Sequence, residues 1–386
     1  MTPSERERIR GYLAGSERPA AVVVDVGWVN GLAAIRSLGR AGIRVLALDP
    51  SPSALGFRSR YALPVVCPHA GESDAAFVAF MRELGDLLEQ PAPVFCTHDE
   101  ALFALARARD EVGERFRYPF PPPPKFEAVA TKRSQLERAA ALGVGIPLTV
   151  YPRSAGEARS AGTELGFPLL VKPSRPELFK HRHRGGHGFR CASAAELERA
   201  YARTEEFEPM IQELIPGGDE LLYSLGSYLD AREEPLGVFS GRKLRQLPPG
   251  IGTCRVGEAV WVQEVVDAGL RLLHGLEFSG LSQVEFKRDP RDGQYKLMEV
   301  NARLWQWHGL AAACGVDLAL IAYADLVGEH VRSARMDGEG KRWAISLMPG
   351  EPPVVPRPPY VDAVFARDDL KPGLVQVVRV VRRALR

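Results

Sequence analysis

The alternation of apolar and polar positions divides the chain into a series of short elements. Ala20–Val24 is an unbroken apolar run, and a Gly/Asn-containing turn follows at Gly27–Gly31. Apolar residues then recur at helical spacing from about Leu32 to Arg40, Gly42 ends the pattern, and a second apolar run, Val45–Leu48, closes on Asp49. Two buried strands joined by a helix predict a parallel β-α-β unit. "PVFCT" at 93–97 predicts a further strand, and "DEALFALARARDEV" a helix behind it. The Pro-rich stretch 119–129 reads as a rigid connector and a domain boundary.

Beyond the connector, the pattern changes. A helix capped by Thr131 precedes the strand "FPLLVKPS" (167–174), the basic Gly-rich loop "HRHRGGHGF" (181–189), a Ser-capped helix and the strand "PMIQELIPG". Residues 221–256 read as strands, "VWVQEVVDAGLRLLHGL" as a long helix, and "GLSQVEFKRDPRDGQYKLMEVNAR" as two strands around a turn. "GLAAACGVDLALIAYADLVG" carries Asp317 and Asp325 and predicts one buried amphipathic helix, not a membrane span. A basic helix ends the chain. The expected class is α/β, with an N-terminal parallel α/β domain over 1–125 and α+β lobes over about 126–210 and 211–335. A C-terminal extension, 336–386, packs on the second lobe.

Composition narrows the function without naming it. At 386 residues, 45% hydrophobic and 25% charged, the chain is an ordinary globular protein of two or three packed units. A net charge of +2 with no long basic stripe gives no case for nucleic acid, and no signal-peptide pattern opens the chain. The cysteines Cys67, Cys96, Cys191, Cys254 and Cys314 form no C-x-x-C pair. That pattern predicts core residues in a reducing cytoplasm, not disulfides or structural zinc.

The chemistry sits in the hairpin. Glu285 shares a strand face with Gln283 and Lys287; Glu299, two residues before Asn301, is expected to share its face with Leu297 and Asn301. With the turn centred near Asp292, the two glutamates come opposite each other across the ladder. Like charges there are unfavourable unless a cation neutralises them, and two carboxylates with an amide oxygen suit Mg²⁺. Such a metal implies a nucleotide. No G-x-x-x-x-G-K-[ST] is present, so Lys132, Lys172 and a Gly-rich loop are the expected phosphate contacts. No intact G-x-G-x-x-G is present either, which weakens a nicotinamide-binding oxidoreductase as the alternative class.

The order Lys132, "LLVKP", Gly-rich loop, "IQELIPGGDELL", "GLSQVEFK", "LMEVNAR" resembles the ATP-grasp superfamily over roughly residues 20–335, in the carboxylate–amine ligase branch near D-aspartate ligase. The resemblance implies ATP and Mg²⁺, with Mn²⁺ as an alternative metal. Lys132 and Lys172 would reach the phosphates. In the hinge, Gln212 or Glu213 and the backbone of Leu214 would bind adenine. Glu220 would hold the ribose, with Asp219 as the competing acid. Glu285, Glu299 and Asn301 would ligate the metal, and Arg303 would contact the transferring phosphate. Arg242, Lys243 and Arg245 lie where such proteins place a basic strand near the triphosphate or the substrate carboxylate. Lys172, Arg242 and Arg303 are thus the expected catalytic residues. The implied partners are a small-molecule carboxylate and an amine, in a chain that pairs as a homodimer and binds no membrane.

Three readings stay open at this point. The loop with His181, Arg182, His183, Arg184 and His187 is a charged hairpin tip, a phosphate lid or a His metal site. Trp305 and Trp307 are core or an acceptor-pocket wall, with His308 as a base on chemistry alone. His98 and Asp99 are substrate contacts, or Thr97 or Asp99 caps the helix that follows. The function alternatives are carboxylation, ligation to a thiol, and nucleotide sensing without turnover.

Overall fold

The computed structural model describes residues 1–123, 125–174, 179, 188–250 and 252–385. The loop residues His181, Arg182, His183, Arg184 and His187 lie outside the described residues.

Three sheets organise the described chain. The first is parallel, with order β3-β2-β1-β4-β5, from β1 (Ala21–Val24), β2 (Val45–Asp49), β3 (Ala62–Val66), β4 (Ala92–Cys96) and β5 (Phe116–Arg117). β1, β2 and β4 are buried along their whole length, as unbroken apolar runs require when helices cover both faces. Thr131 caps the helix Lys132–Ala141 through a bond to the Ser134 amide, and Ser193 caps Ala194–Thr204 in the same way.

The second sheet is antiparallel, with order β6-β9-β7-β8, from β6 (Thr149–Val150), β7 (Leu169–Pro173), β8 (Phe189–Cys191) and β9 (Pro209–Glu213). The third holds eight strands. Its path is β14 (Tyr295–Asn301), β13 (Gly280–Arg288), β10 (Leu222–Leu229), β11 (Pro235–Leu247), β12 (Thr253–Ala259), β16 (Arg342–Ala344) and β17 (Tyr360–Asp362), with β15 (Ala334–Arg335) against β11.

The third sheet has two unlike faces. On one, Leu225, Val284, Phe286, Leu297 and Val300 join Val265, Val266, Leu272 and Leu273 of the helix Gln263–Gly275 in a single core. The other carries the carboxylates of the hairpin and a run of glycines: Gly226 on β10, Gly241 on β11 and Gly257 on β12. A Cβ at Gly226 would overlap the Trp305 ring, and one at Gly241 or Gly257 would come within 2.9 Å of Trp307. Trp305 and Trp307, each about 1% exposed, lie edge to face on this floor with Phe239 beside them. The two tryptophans are core.

The structure corrects two other local expectations. The segment 309–328 is not one helix. Gly315, with φ +82°, stops Gly309–Ala313, and the Asp317 carboxylate caps Leu318–Leu326 by accepting from the Leu320 amide. On β14 a bulge at Met298 puts Leu297 opposite Phe286 while Glu299 stays opposite Glu285. Leu297 therefore faces the core and does not share the face of Glu299. All five cysteines are free and buried. Among the described residues, no helix is long and apolar enough to cross a membrane.

Because the Trp305 ring occupies the space a side chain would need, Gly226→Ala is expected to cost about 1–3 kcal/mol of stability, as overpacking does. Urea denaturation measures this; an unchanged midpoint would mean that the ring moves aside freely.

Candidate active site

Strand register builds the centre of the site. Glu285 pairs directly with Glu299, and Gln283 with Asn301. Each carboxylate meets a lysine from another element. Lys132 Nζ, at the start of its helix, lies 2.8 Å from Glu299 Oε2, and Lys243 Nζ, on β11, lies 2.6 Å from Glu285 Oε2. Glu285 and Lys243 are both buried. The Lys132 ammonium holds the Glu299 carboxyl well below the usual carboxylate range against the opposing effect of burial. The carboxylate charge in turn holds Lys132 and Lys243 above the ordinary lysine range, although burial pulls the other way.

A hydrogen-bonded row continues from this pair. Asn301 Nδ2 donates to Glu299 Oε1 at 3.2 Å and to Gln283 Oε1 at 3.3 Å, and Gln283 Nε2 donates to Ser224 Oγ at 3.0 Å. Arg303 Nε donates to Asp99 Oδ1 at 2.5 Å, and its Nη2 reaches Asn301 Oδ1 at 3.4 Å. Asp99 therefore ties the helix that follows β4 to the segment just after β14. The cap reading of 97–99 does not hold: the helix Asp99–Arg107 has no side-chain cap, and Thr97 Oγ1 donates to the Asp25 carbonyl instead. A cavity of about 130 Å³ opens here, between Lys132, Glu299 and Asn301 on one side and His98, Asp99 and Glu100 on the other.

The second sheet supplies Lys172. Its Nζ donates to Gln212 Oε1 at 3.0 Å, and Gln212 Nε2 donates to Thr149 Oγ1 at 3.0 Å. Burial, with the nearby Lys132 charge, brings the Lys172 ammonium down to about 7; Glu299 and Glu285 oppose this. The second and third sheets thus bring Lys172, Lys132 and the paired carboxylates within electrostatic reach of one another.

Several expected site residues are placed elsewhere. Arg242 alternates with Lys243 along β11, so it points to the opposite face. There its Nε and Nη2 donate to Glu258 Oε2, whose other oxygen accepts from Arg342. It does not meet the carboxylate pair. Glu213 is engaged as a hinge brace. It pairs with Arg291 at 2.5 Å and Lys296 at 3.1 Å and accepts the Leu148 amide, while Asp289 binds the same two cations. Of the adjacent acids, Asp219 accepts from the Gln246 amide and side chain and from the Gly250 amide, so it holds that turn. Glu220 is exposed, Leu214 half-buried and Arg245 exposed. His308 is 3% exposed and donates Nε2–H to the Asn30 carbonyl, and burial lowers its basicity. It is a structural tie, not a base.

The donor set around Glu285, Glu299 and Asn301 consists of hard oxygens that two lysine cations now balance, which fits a divalent metal such as Mg²⁺. Sequence reasoning did not anticipate the roles of Gln283, Ser224 and Gln246. Their only signal was the alternation that puts Gln283 on the face of Glu285.

Comparison with known proteins places this geometry. The family described as the carbamoyl-phosphate synthase L chain, ATP-binding domain, matches residues 259–332. The D-aspartate ligase of Enterococcus faecium (strain Aus0004) is 24% identical over 234 residues, 58% of this chain and 56% of that ligase. The chain therefore spans little more than half of that relative. Among solved structures, N5-carboxyaminoimidazole synthetase from Staphylococcus aureus complexed with ADP superposes with a TM-score of 0.63 at 13% identity, covering 83% of this chain and 80% of that one. The biotin carboxylase domain of Hydrogenobacter thermophilus 2-oxoglutarate carboxylase, with MgADP, ADP and bicarbonate, gives 0.62 at 16% identity over 84% and 73%. The solved structures show that the chain has the ATP-grasp fold, and the family profile and the ligase relative agree with it.

Proposed function

We propose that the chain is an ATP-dependent carboxylate–amine ligase that activates a small-molecule carboxylate as an acyl phosphate and joins it to an amine, releasing ADP and phosphate. The cross-strand pair Glu285–Glu299, balanced by Lys132 and Lys243, supports this reading most. We also propose the division into 1–125, 126–335 and 336–386, with the nucleotide between the second and third sheets and the substrates toward the parallel one.

In this reading Glu285, Glu299 and Asn301 hold Mg²⁺. When bound, such an ion offsets phosphate charge and aligns phosphate oxygens. Lys132 and Lys172 bind the phosphates, Gln212 and the Leu214 backbone meet the base, and Glu220 takes the ribose. Arg303, held in place by Asp99, faces the transferring group. A carboxylate oxygen attacks the γ-phosphorus and the bond to ADP breaks. The amine nitrogen then attacks the acyl carbon and phosphate leaves. The protein's share is positioning and charge stabilisation. Carboxylation is the second reading, favoured by the bicarbonate in a neighbour of the same fold. ADP release from the purified chain with Mg²⁺ and ATP, measured against amino acids, short peptides, thiols and bicarbonate in pairs, tests the proposal. Turnover that needs bicarbonate and no other acid would replace it.

Two outcomes follow from the site. Glu299→Gln is expected to lower ADP release at least ~100-fold, the scale of losing one charge-stabilising group. MgADP affinity by calorimetry is expected to fall far less, within about tenfold or 1.4 kcal/mol, because Glu285, Asn301, Lys132 and Lys172 still hold the metal and phosphates. Loss of binding in parallel with turnover would point to a nucleotide sensor. Lys172, largely neutral at pH 8, takes up a proton when phosphate anions approach. Binding then favours the protonated form, so affinity falls as pH rises above about 7. Calorimetry in buffers of different ionisation enthalpy reads this uptake, and Lys172→Met abolishes it.

A further inference from the structure

The helix Leu370–Ala384 turns its apolar side away from the protein. Leu370, Leu374, Val377, Val378, Val381 and the following Leu385 are all exposed, Leu370 and Leu374 at 64% and Leu385 at 82%. At 3.6 residues per turn they fall within an arc of about 100°, one continuous stripe along the helix. The side that meets the protein is small and polar instead: Pro372, Gly373 and Gln376 are its buried residues. Polar bonds hold it there. Asp369, just before the helix, accepts from Arg36 Nε at 2.9 Å and from Ser59 Oγ at 2.8 Å, and Gln376 Nε2 donates to the Leu347 carbonyl at 2.9 Å. Arg379 donates to the Ser53 carbonyl. These bonds lock rotation about the helix axis, so the stripe stays outward. Phe365, itself exposed, lies over Gly373 and widens the apolar face on the flank of Val377.

Cations line the other flank. Lys371 and Arg382 come next around the helix after Val378 and Leu385, and Arg379 and Arg383 lie beyond them. The stretch 370–386 contains no acidic residue. The two acids just before it are engaged elsewhere, Asp368 with Arg40 and Asp369 with Arg36. Arg58 adds a further positive charge beside Arg379.

Charge selects what covers the stripe. A second copy of this helix would bring the same cations to the same flank with no anion to meet them, in either direction of pairing, and like charges at a contact oppose it. An anionic bilayer complements both features at once: the acyl boundary takes the apolar side chains, and the long basic side chains along the edge reach the headgroup phosphates. At 15 residues the helix is about 22 Å long, short of the ~30 Å hydrocarbon core, so it lies flat and does not span. The lack of a spanning segment, from which the sequence predicts no membrane partner, does not bear on a helix of this kind. We propose that this face docks the protein on an anionic lipid surface, with the stripe in the acyl boundary and Lys371 and Arg382 at the phosphates. Docking needs no turnover, so it stands apart from the ligase reading.

The test sediments the full chain with vesicles. Phosphatidylglycerol and phosphatidylcholine in equal parts are expected to bind it at least ~10-fold more tightly than phosphatidylcholine alone, and high salt narrows the difference. Leu374→Gln with Val381→Gln, and separately Lys371→Gln with Arg382→Gln, are each expected to weaken binding to the mixed vesicles at least ~10-fold. All four side chains are exposed, so the urea midpoints stay unchanged. No sedimentation with the mixed vesicles leaves the face to a protein partner and overturns the proposal. So does binding that the glutamines at 374 and 381 leave undiminished, or equal binding to both kinds of vesicle. A lipid-free dimer in analytical ultracentrifugation that the same two glutamines convert to monomer assigns the stripe to a second copy and overturns it as well.

Discussion

Two carboxylates forced together by strand register are the constraint from which the rest of the site follows. Glu285 and Glu299 are directly opposed, and their mutual repulsion has to be met by cations. In the protein alone, Lys132 and Lys243 meet it, arriving from a helix N-terminus and from β11 of the same sheet. Removing one cation would leave a partly buried anion uncompensated, so the four groups act as one unit.

The glycine floor explains how Arg303 and Asn301 are aimed. Side chains on β10, β11 and β12 would lift the loop 302–308 off the sheet. With glycine at Gly226, Gly241 and Gly257, the two indoles pack directly against the backbone. The rings are a large apolar payload in a fixed place. Arg303 emerges just before them and finds Asp99 across the cleft. The same loop carries His308 to Asn30, so the large sheet and the parallel sheet are joined through one short segment.

The end of β9 is held by charge. Glu213, Asp289, Arg291 and Lys296 form a closed network in which Asp289 is fully buried and its carboxyl lies well below its usual range, chiefly through Arg291. That network fixes the end of β9 against the hairpin, and so fixes where Gln212 offers Lys172 a partner. Lys172 is the contrasting case, a cation whose nearest bonded partner is a neutral amide. The difference explains why its charge is weakly held while those of Lys132 and Lys243 are strongly held.

The sequence by itself determined what depends on local period and spacing. The apolar runs of β1, β2 and β4, the caps at Thr131 and Ser193, and the β13–β14 hairpin with Glu285 opposite Glu299 all follow from near neighbours in the chain. So does the family order of motifs. Tertiary structure decided the contacts made at long range. Whether a basic strand residue meets the carboxylates is settled by which face it takes, and Lys243 does so while Arg242 does not. Glu213, Asp219 and His308 carry chemistry fit for a ligand, yet each is claimed by a partner distant in sequence. The bulge at Met298 turned Leu297 to the core because a packed face outweighs simple alternation.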